Sequence, residues 1–124
     1  MLTIIESREE LENVLADTYN KPLFLFKHSS TCGVSHIAFY ELKKFADFMI
    51  ESNHPFQFMM VRVHEERELS NEIAERFAVV HMSPQLFLIY KNKATWNTSH
   101  GHINMTNMLE AANSVLTEMS SERN

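Results

Sequence analysis

The apolar positions of this chain change period along its length, and each change marks the boundary of an element. Leu2 to Ile5 is a short run rich in β-branched residues. Ser7 with Glu10 three positions later forms a capping box that starts a helix carrying Leu11, Val14 and Leu15 on one face. After Pro22, Leu23-Phe24-Leu25-Phe26 is a continuous apolar run of the kind found in a strand covered on both faces. A polar loop from His28 to Thr31 follows. Val34, Ile37, Ala38, Leu42, Phe45, Ala46 and Met49 then recur at helical spacing as far as Ser52, ahead of Asn53 and Pro55. Phe56 to Val63 reads as a second central strand, with Leu69, Ile73, Ala74 and Phe77 marking a shorter helix behind it.

The regular exchange of strand and helix then stops. Gln85 to Tyr90 is apolar, Lys91-Asn92-Lys93 is a tight polar turn and Ala94 to Ser99 is a second short strand, so the pair predicts an antiparallel hairpin. Met108, Leu109, Ala112, Val115, Leu116 and Met119 mark a terminal helix starting at Asn104, after which residues 120–124 are expected to fray. The order βαβαβαββα predicts an α/β fold with a mixed central sheet of four to five strands flanked by helices. Cys32 then falls at the carboxyl end of its strand, the edge where open α/β sheets bind ligands.

Composition narrows the class of protein. A length of 124 residues with 44% apolar side chains suits a single domain, 1–124, whose residues 1–20 supply the first strand and helix; two glycines and three prolines leave little room for linkers. Eleven basic residues against 16 acidic ones give a net charge of −5, and the basic ones form no stripe, so no nucleic-acid partner is expected. Met1 to Glu9 lacks the basic start and apolar run of a secretory signal, and no stretch has the length of a membrane span. The expectation is a cytoplasmic protein with no membrane association, and one cysteine suits that reducing compartment.

That cysteine, Cys32, stands in the run Lys27-His28-Ser29-Ser30-Thr31-Cys32-Gly33-Val34-Ser35. It cannot close an internal disulfide, so redox chemistry here must finish with a thiol from outside. The thiolate is the attacking species, and the free amides and positive dipole end at the start of a helix stabilise negative charge on sulfur. The amides of Val34 and Ser35 are the expected donors. The Ser35 hydroxyl is expected to add a hydrogen bond to the sulfur, and Gly33 to let a disulfide approach the backbone closely. The competing reading, a small buried hydrophobe, fits poorly with Ser, Thr and Gly as neighbours.

Ser83-Pro84 precedes the hairpin, at a junction where a proline can be cis. Seven histidines raise the question of a metal: Cys32 and His36 are four apart and His100 and His102 flank Gly101, but no second cysteine or carboxylate cluster completes a set of four, and none is expected. His28 and His36 read as a loop and a helix-surface histidine, each able to favour the thiolate when protonated. Trp96, on the edge hairpin, is expected to be half-buried.

Three stretches together carry a family resemblance: Phe26-Lys27-His28-Ser29 leading into Thr31-Cys32-Gly33-Val34-Ser35, then His81-Met82-Ser83-Pro84-Gln85, then Trp96-Asn97-Thr98-Ser99-His100. With the order of elements they resemble the thioredoxin fold, and within it the monothiol bacilliredoxin family, over nearly the whole chain. That family typically has Pro at the position of Gly33. The resulting Cys-Gly-Val-Ser is similar to the CGFS motif of monothiol glutaredoxins, which bridge an iron-sulfur cluster with glutathione; against this, the chain has an extra strand and helix before Phe24 and lacks the Gly-Gly turn that holds glutathione. Thioredoxins keep a buried Asp six residues before the attacking cysteine, where this chain has Phe26, and a one-thiol cycle leaves that acid without a task.

The bacilliredoxin resemblance implies a thiol-disulfide oxidoreductase that removes bacillithiol from S-bacillithiolated client proteins, with Cys32 as nucleophile and Ser35 in the resolving position. It implies bacillithiol as co-substrate, no tightly bound cofactor, and a flavin-dependent bacillithiol disulfide reductase as an indirect partner. Thr31, Gly33, Val34, Ser83 and Pro84 are the implied substrate contacts, Ser83 through its backbone, with Lys27 and His28 as partners for the malate carboxylates. A non-catalytic thioredoxin-like module, in which Cys32 is a sensor or a remnant, is the alternative of a different class.

Overall fold

The run Leu23–Phe26 takes the centre of the sheet because it has no polar face to give to water. In the computed structural model, which describes residues 2–123, five strands stand in the order β1-β3-β2-β4-β5: β1 (Thr3–Ile4), β2 (Leu23–His28), β3 (Gln57–Arg62), β4 (Gln85–Tyr90) and β5 (Lys93–Ser99). Four helices, α1 (Arg8–Ala16), α2 (Gly33–Glu51), α3 (Arg67–Phe77) and α4 (Met105–Arg123), cover it. The strands β1, β3 and β2 run parallel, and β4 and β5 are antiparallel to their neighbours. Every residue of β2 and of β4 is buried. The element order and the mixed sheet are those read from the sequence.

The pleat sends alternate side chains of β2 to two separate apolar clusters. Phe24 and Phe26 face α2 and α4, where Leu42, Phe45, Met108 and Val115 close over them. Phe24 meets Phe45 edge-on at 5.2 Å between ring centroids and stacks on Phe58 at 5.4 Å. Leu23 and Leu25 face α1 and α3, packing with Leu11, Leu15, Ile73 and Phe87.

The register between β2 and β4 pairs Leu23 with Ile89 at one end and Lys27 with Gln85 at the other. The chain just before β4 therefore lies beside the end of β2. Lys91 and Asn92, both with positive φ, make the two-residue turn of the β4–β5 hairpin. Thr18 ties that turn to the end of α1, its buried hydroxyl donating to the Leu15 carbonyl at 2.6 Å and accepting the Asn92 N–H at 2.8 Å.

Three local expectations change. The Ser7 side chain caps α1 by accepting the Glu10 N–H at 3.1 Å, but the Glu10 carboxylate reaches back to the Glu6 N–H, one residue short of the reciprocal capping box. Val34 and Ile37 are not on the core face of α2; they are 43% and 68% exposed, and the inward row is Ser35, Ala38, Leu42, Phe45, Ala46 and Met49. The tail does not fray over 120–123: α4 continues to Arg123 because the Glu122 carboxylate accepts hydrogen bonds from the Tyr90 hydroxyl and the Lys91 ammonium. Asn124 lies outside the described residues. Among the described residues no helix is long and apolar enough to cross a membrane.

Candidate active site

Cys32 is the N-cap of α2, half-buried, with extended backbone at φ −111° and ψ 120°. Thr31, Gly33 and Val34 around it are exposed. The Cys32 carbonyl takes the Ser35 and His36 amides at 3.1 and 3.2 Å, and the Gly33 and Val34 N–H groups have no acceptor among the described residues. Of the two amides expected to serve the sulfur, only that of Val34 is therefore free.

The Ser35 hydroxyl does not reach the sulfur. Ser35 sits on the inward row of α2, fully buried, and its oxygen lies 3.0 Å from the Ser29 amide and 2.8 Å from His28 Nδ1. Its observed role is to join the end of β2 and the turn before Cys32 to the first turn of α2. Ser35→Ala leaves the Ser29 N–H and His28 Nδ1 without that partner and is expected to cost about 2 kcal/mol of folding stability. Urea unfolding at neutral pH checks this; an unchanged midpoint would count against the strut.

His28 is a strand residue, not a loop residue, Lys27 precedes it in β2, and both are buried instead of standing free to meet a carboxylate. Lys27 is 0% exposed and points to the α3 side, donating from Nζ to His81 Nδ1 at 3.1 Å with the Phe87 ring 5.8 Å away. Burial lowers its pKa from 10.5 to about 8. His28 points to the α2 side, its ring 5.6 Å from that of Phe26, 5.4 Å from Phe39 and 5.2 Å from His36. Burial holds the His28 pKa below the ordinary histidine value, helped by His36 and opposed by Glu65. His36 is exposed, as expected, and its Nε2 lies 2.8 Å from the Ser30 carbonyl, to which it donates.

The second strand of the site is the approach to β4. The Ser83-Pro84 peptide, at the junction where a proline can be cis, is cis. By the β2–β4 register this pair lies beside His28 and Ser29. Gln85 fixes the approach, accepting the Met82 N–H at 3.2 Å and donating to the Val80 carbonyl at 3.1 Å. His81 anchors it to β2 through Lys27. The Ser83 hydroxyl oxygen is buried without a hydrogen-bond partner, and its backbone takes no partner among the described residues. Trp96 is half-buried, edge-on to Phe24 at 6.5 Å. Among the described residues no three His, Cys, Asp or Glu side chains converge where they could hold a metal ion.

Gly33 occupies the first position of α2 with negative φ, and a β-carbon there would meet nothing within 4 Å. The space lets a ligand approach, although the backbone does not require glycine. Its N–H makes no bond and Cys32 already has the extended backbone that precedes proline well. Gly33→Pro is thus expected to stabilise the protein by roughly 0.5 kcal/mol, read as a higher thermal midpoint.

A family model described as "Monothiol bacilliredoxin BrxC" matches residues 3–108 of the chain. A solved structure described as having a thioredoxin fold is 33% identical, with a TM-score of 0.78, covering 89% of this chain and 92% of its own. Thioredoxin from Fasciola hepatica aligns at 17% identity and TM-score 0.72 over 91% of this chain and 98% of its own. Mitochondrial thioredoxin 3 from Saccharomyces cerevisiae aligns at 16% identity and TM-score 0.72 over 91% and 94%. These last two speak to the fold alone.

Proposed function

The chain belongs to the monothiol bacilliredoxin family, and on that premise we propose that it removes bacillithiol from S-bacillithiolated proteins, with Cys32 as its one redox nucleophile. Family and fold give the coarser role of a thioredoxin-like thiol oxidoreductase. The observation that carries the finer reading is a half-exposed thiol at the start of α2, beside two unbonded amides, in a chain with no second cysteine.

In this reading the Cys32 thiolate attacks the bacillithiol sulfur of the client's mixed disulfide. That S–S bond breaks, the client leaves as its thiolate, and a Cys32–bacillithiol disulfide forms. A second bacillithiol thiolate attacks that disulfide, releasing Cys32 as thiolate and forming the symmetric bacillithiol disulfide, which a flavin-dependent reductase returns to thiols. The Gly33 and Val34 amides stabilise the anionic sulfur, and the unpaired Ser83 backbone offers hydrogen bonds to the cysteinyl part of bacillithiol. Ser35 contributes by holding the turn, and its hydroxyl displaces nothing.

The test is to incubate the reduced protein with bacillithiol disulfide at neutral pH and measure its mass. One bacillithiol adduct per chain, located on Cys32 and discharged by further bacillithiol, is the expected result. An unmodified protein would overturn the reading, and a coloured product from anaerobic iron-sulfur reconstitution with glutathione would redirect it to cluster binding.

A further inference from the structure

Ser35 is fully buried, so its hydroxyl proton must find a partner inside the protein. The oxygen already accepts the Ser29 N–H at 3.0 Å, and among the described residues the acceptor within reach is His28 Nδ1, 2.8 Å away. The proton of a neutral His28 then resides on Nε2. Such an arrangement has one direction: Nδ1 accepts from Ser35, and Ser35 accepts from the turn that carries the cysteine.

We propose that His28 is a positioning residue for Cys32: by accepting the Ser35 hydroxyl proton it fixes that hydroxyl as acceptor of the Ser29 N–H and clamps the 29–32 turn onto the first turn of α2. The clamp closes a short loop, because the Cys32 amide donates to the Ser29 carbonyl at 3.2 Å while the Cys32 carbonyl accepts the amides of Ser35 and His36. Ser29 is thus held on both its N–H and its C=O, and Cys32 on both sides of its Cα. The proposal rests on Cys32 being the nucleophile.

Protonation opposes the clamp, since a hydrogen on Nδ1 would face the Ser35 hydroxyl hydrogen and turn it away from its acceptor. The titratable groups facing His28 are His36 from α2, which disfavours the second proton, and Glu65 from the β3–α3 connection, which favours it. Lys27 points to the other face of the sheet.

Two measurements on the full chain test this. Long-range proton–nitrogen NMR at pH 7 should find His28 as the Nε2–H tautomer; the Nδ1–H tautomer would overturn the proposal. The second is the reaction of Cys32 with an aromatic disulfide, dithiobis(nitrobenzoate), in which the thiolate breaks the S–S bond, takes one aryl sulfur and releases the other as coloured thiolate. His28→Phe should react about 10-fold more slowly than wild type at pH 7, while His28→Asn, with an acceptor oxygen where Nδ1 was, should stay within about 3-fold. As the pH falls below 6.5, the ordinary histidine value, the rate of wild type relative to His28→Asn should fall, because only wild type loses its acceptor on protonation. Equal rates for wild type and His28→Phe, or a constant ratio across pH, would overturn the positioning role alone. An inert wild-type Cys32 would overturn the nucleophile reading and this proposal with it.

Discussion

Cys32→Ser is expected to abolish thiol-disulfide exchange completely and at the same time to raise folding stability by about 1 kcal/mol. The first half follows from the chain having no other sulfur nucleophile. The second follows from the place of the residue: Cys32 is the N-cap of a 19-residue helix and makes no side-chain capping bond. Serine is among the best N-caps because its oxygen accepts an amide of the first turn, whereas a thiol accepts weakly. The cysteine therefore holds a position that stability alone would give to serine. Turnover with a bacillithiolated client protein and urea unfolding, both on the same variant, check the two halves. Residual exchange activity would remove Cys32 from the mechanism, and a lowered midpoint would refute the capping argument.

Lys27 carries the second large effect, on stability and its pH dependence. Its pKa stands near 8 in the folded protein against 10.5 ordinarily. Below pH 8 the ammonium is charged whether the chain is folded or not, and the cost of burying it is fully present. Between pH 8 and 10.5 the unfolded chain still holds a proton that the folded one has released, so stability rises with pH; above that range both forms are neutral and the curve flattens. The rise corresponds to about 3 kcal/mol. Lys27→Met, of similar length and without charge, should gain stability at neutral pH, by that amount less what the His81 hydrogen bond and the Phe87 ring contribute to holding the cation, and should lose the alkaline rise. Denaturation midpoints from neutral to alkaline pH measure both. A Met variant no more stable than wild type, or one that keeps the rise, would refute the assignment.

How far the sequence led depends on which interaction ended each element. The centre of the sheet was legible because Leu23–Phe26 is apolar without interruption, and hydropathy alone demands cover on both faces. The end of the same strand was not, because pairing with Val61 and Arg62 carries β2 on through Lys27 and His28, and hydrogen-bonded register has no signature in side-chain polarity. His28, read as loop, and Lys27, just past the apolar run, are thus buried strand residues, and burial leaves neither side chain open to a ligand carboxylate. Ser35 had a readable signal, since it lies three residues before Ala38 and seven before Leu42, on the row that faces inward. The apolar Val34 and Ile37 drew the helix face away from it. The hold of Glu122 on Tyr90 and Lys91 joins residues more than 30 positions apart, beyond any local pattern. The place of Cys32 at the start of α2 was legible from the polar run around it and the helical spacing that follows.

The register that pairs Lys27 with Gln85 has a consequence for how the site tolerates change. A slip of one residue between β2 and β4 would exchange the two faces of whichever strand moved, sending core side chains of one cluster toward the other. The same slip would carry Ser83 and Pro84 one step along β2, away from the turn that ends in Cys32. The apolar clusters therefore act as the gauge that sets the distance between the cysteine and the Ser83 backbone. An insertion or deletion within either strand would be felt first as misalignment of the site, even where the core could repack around it.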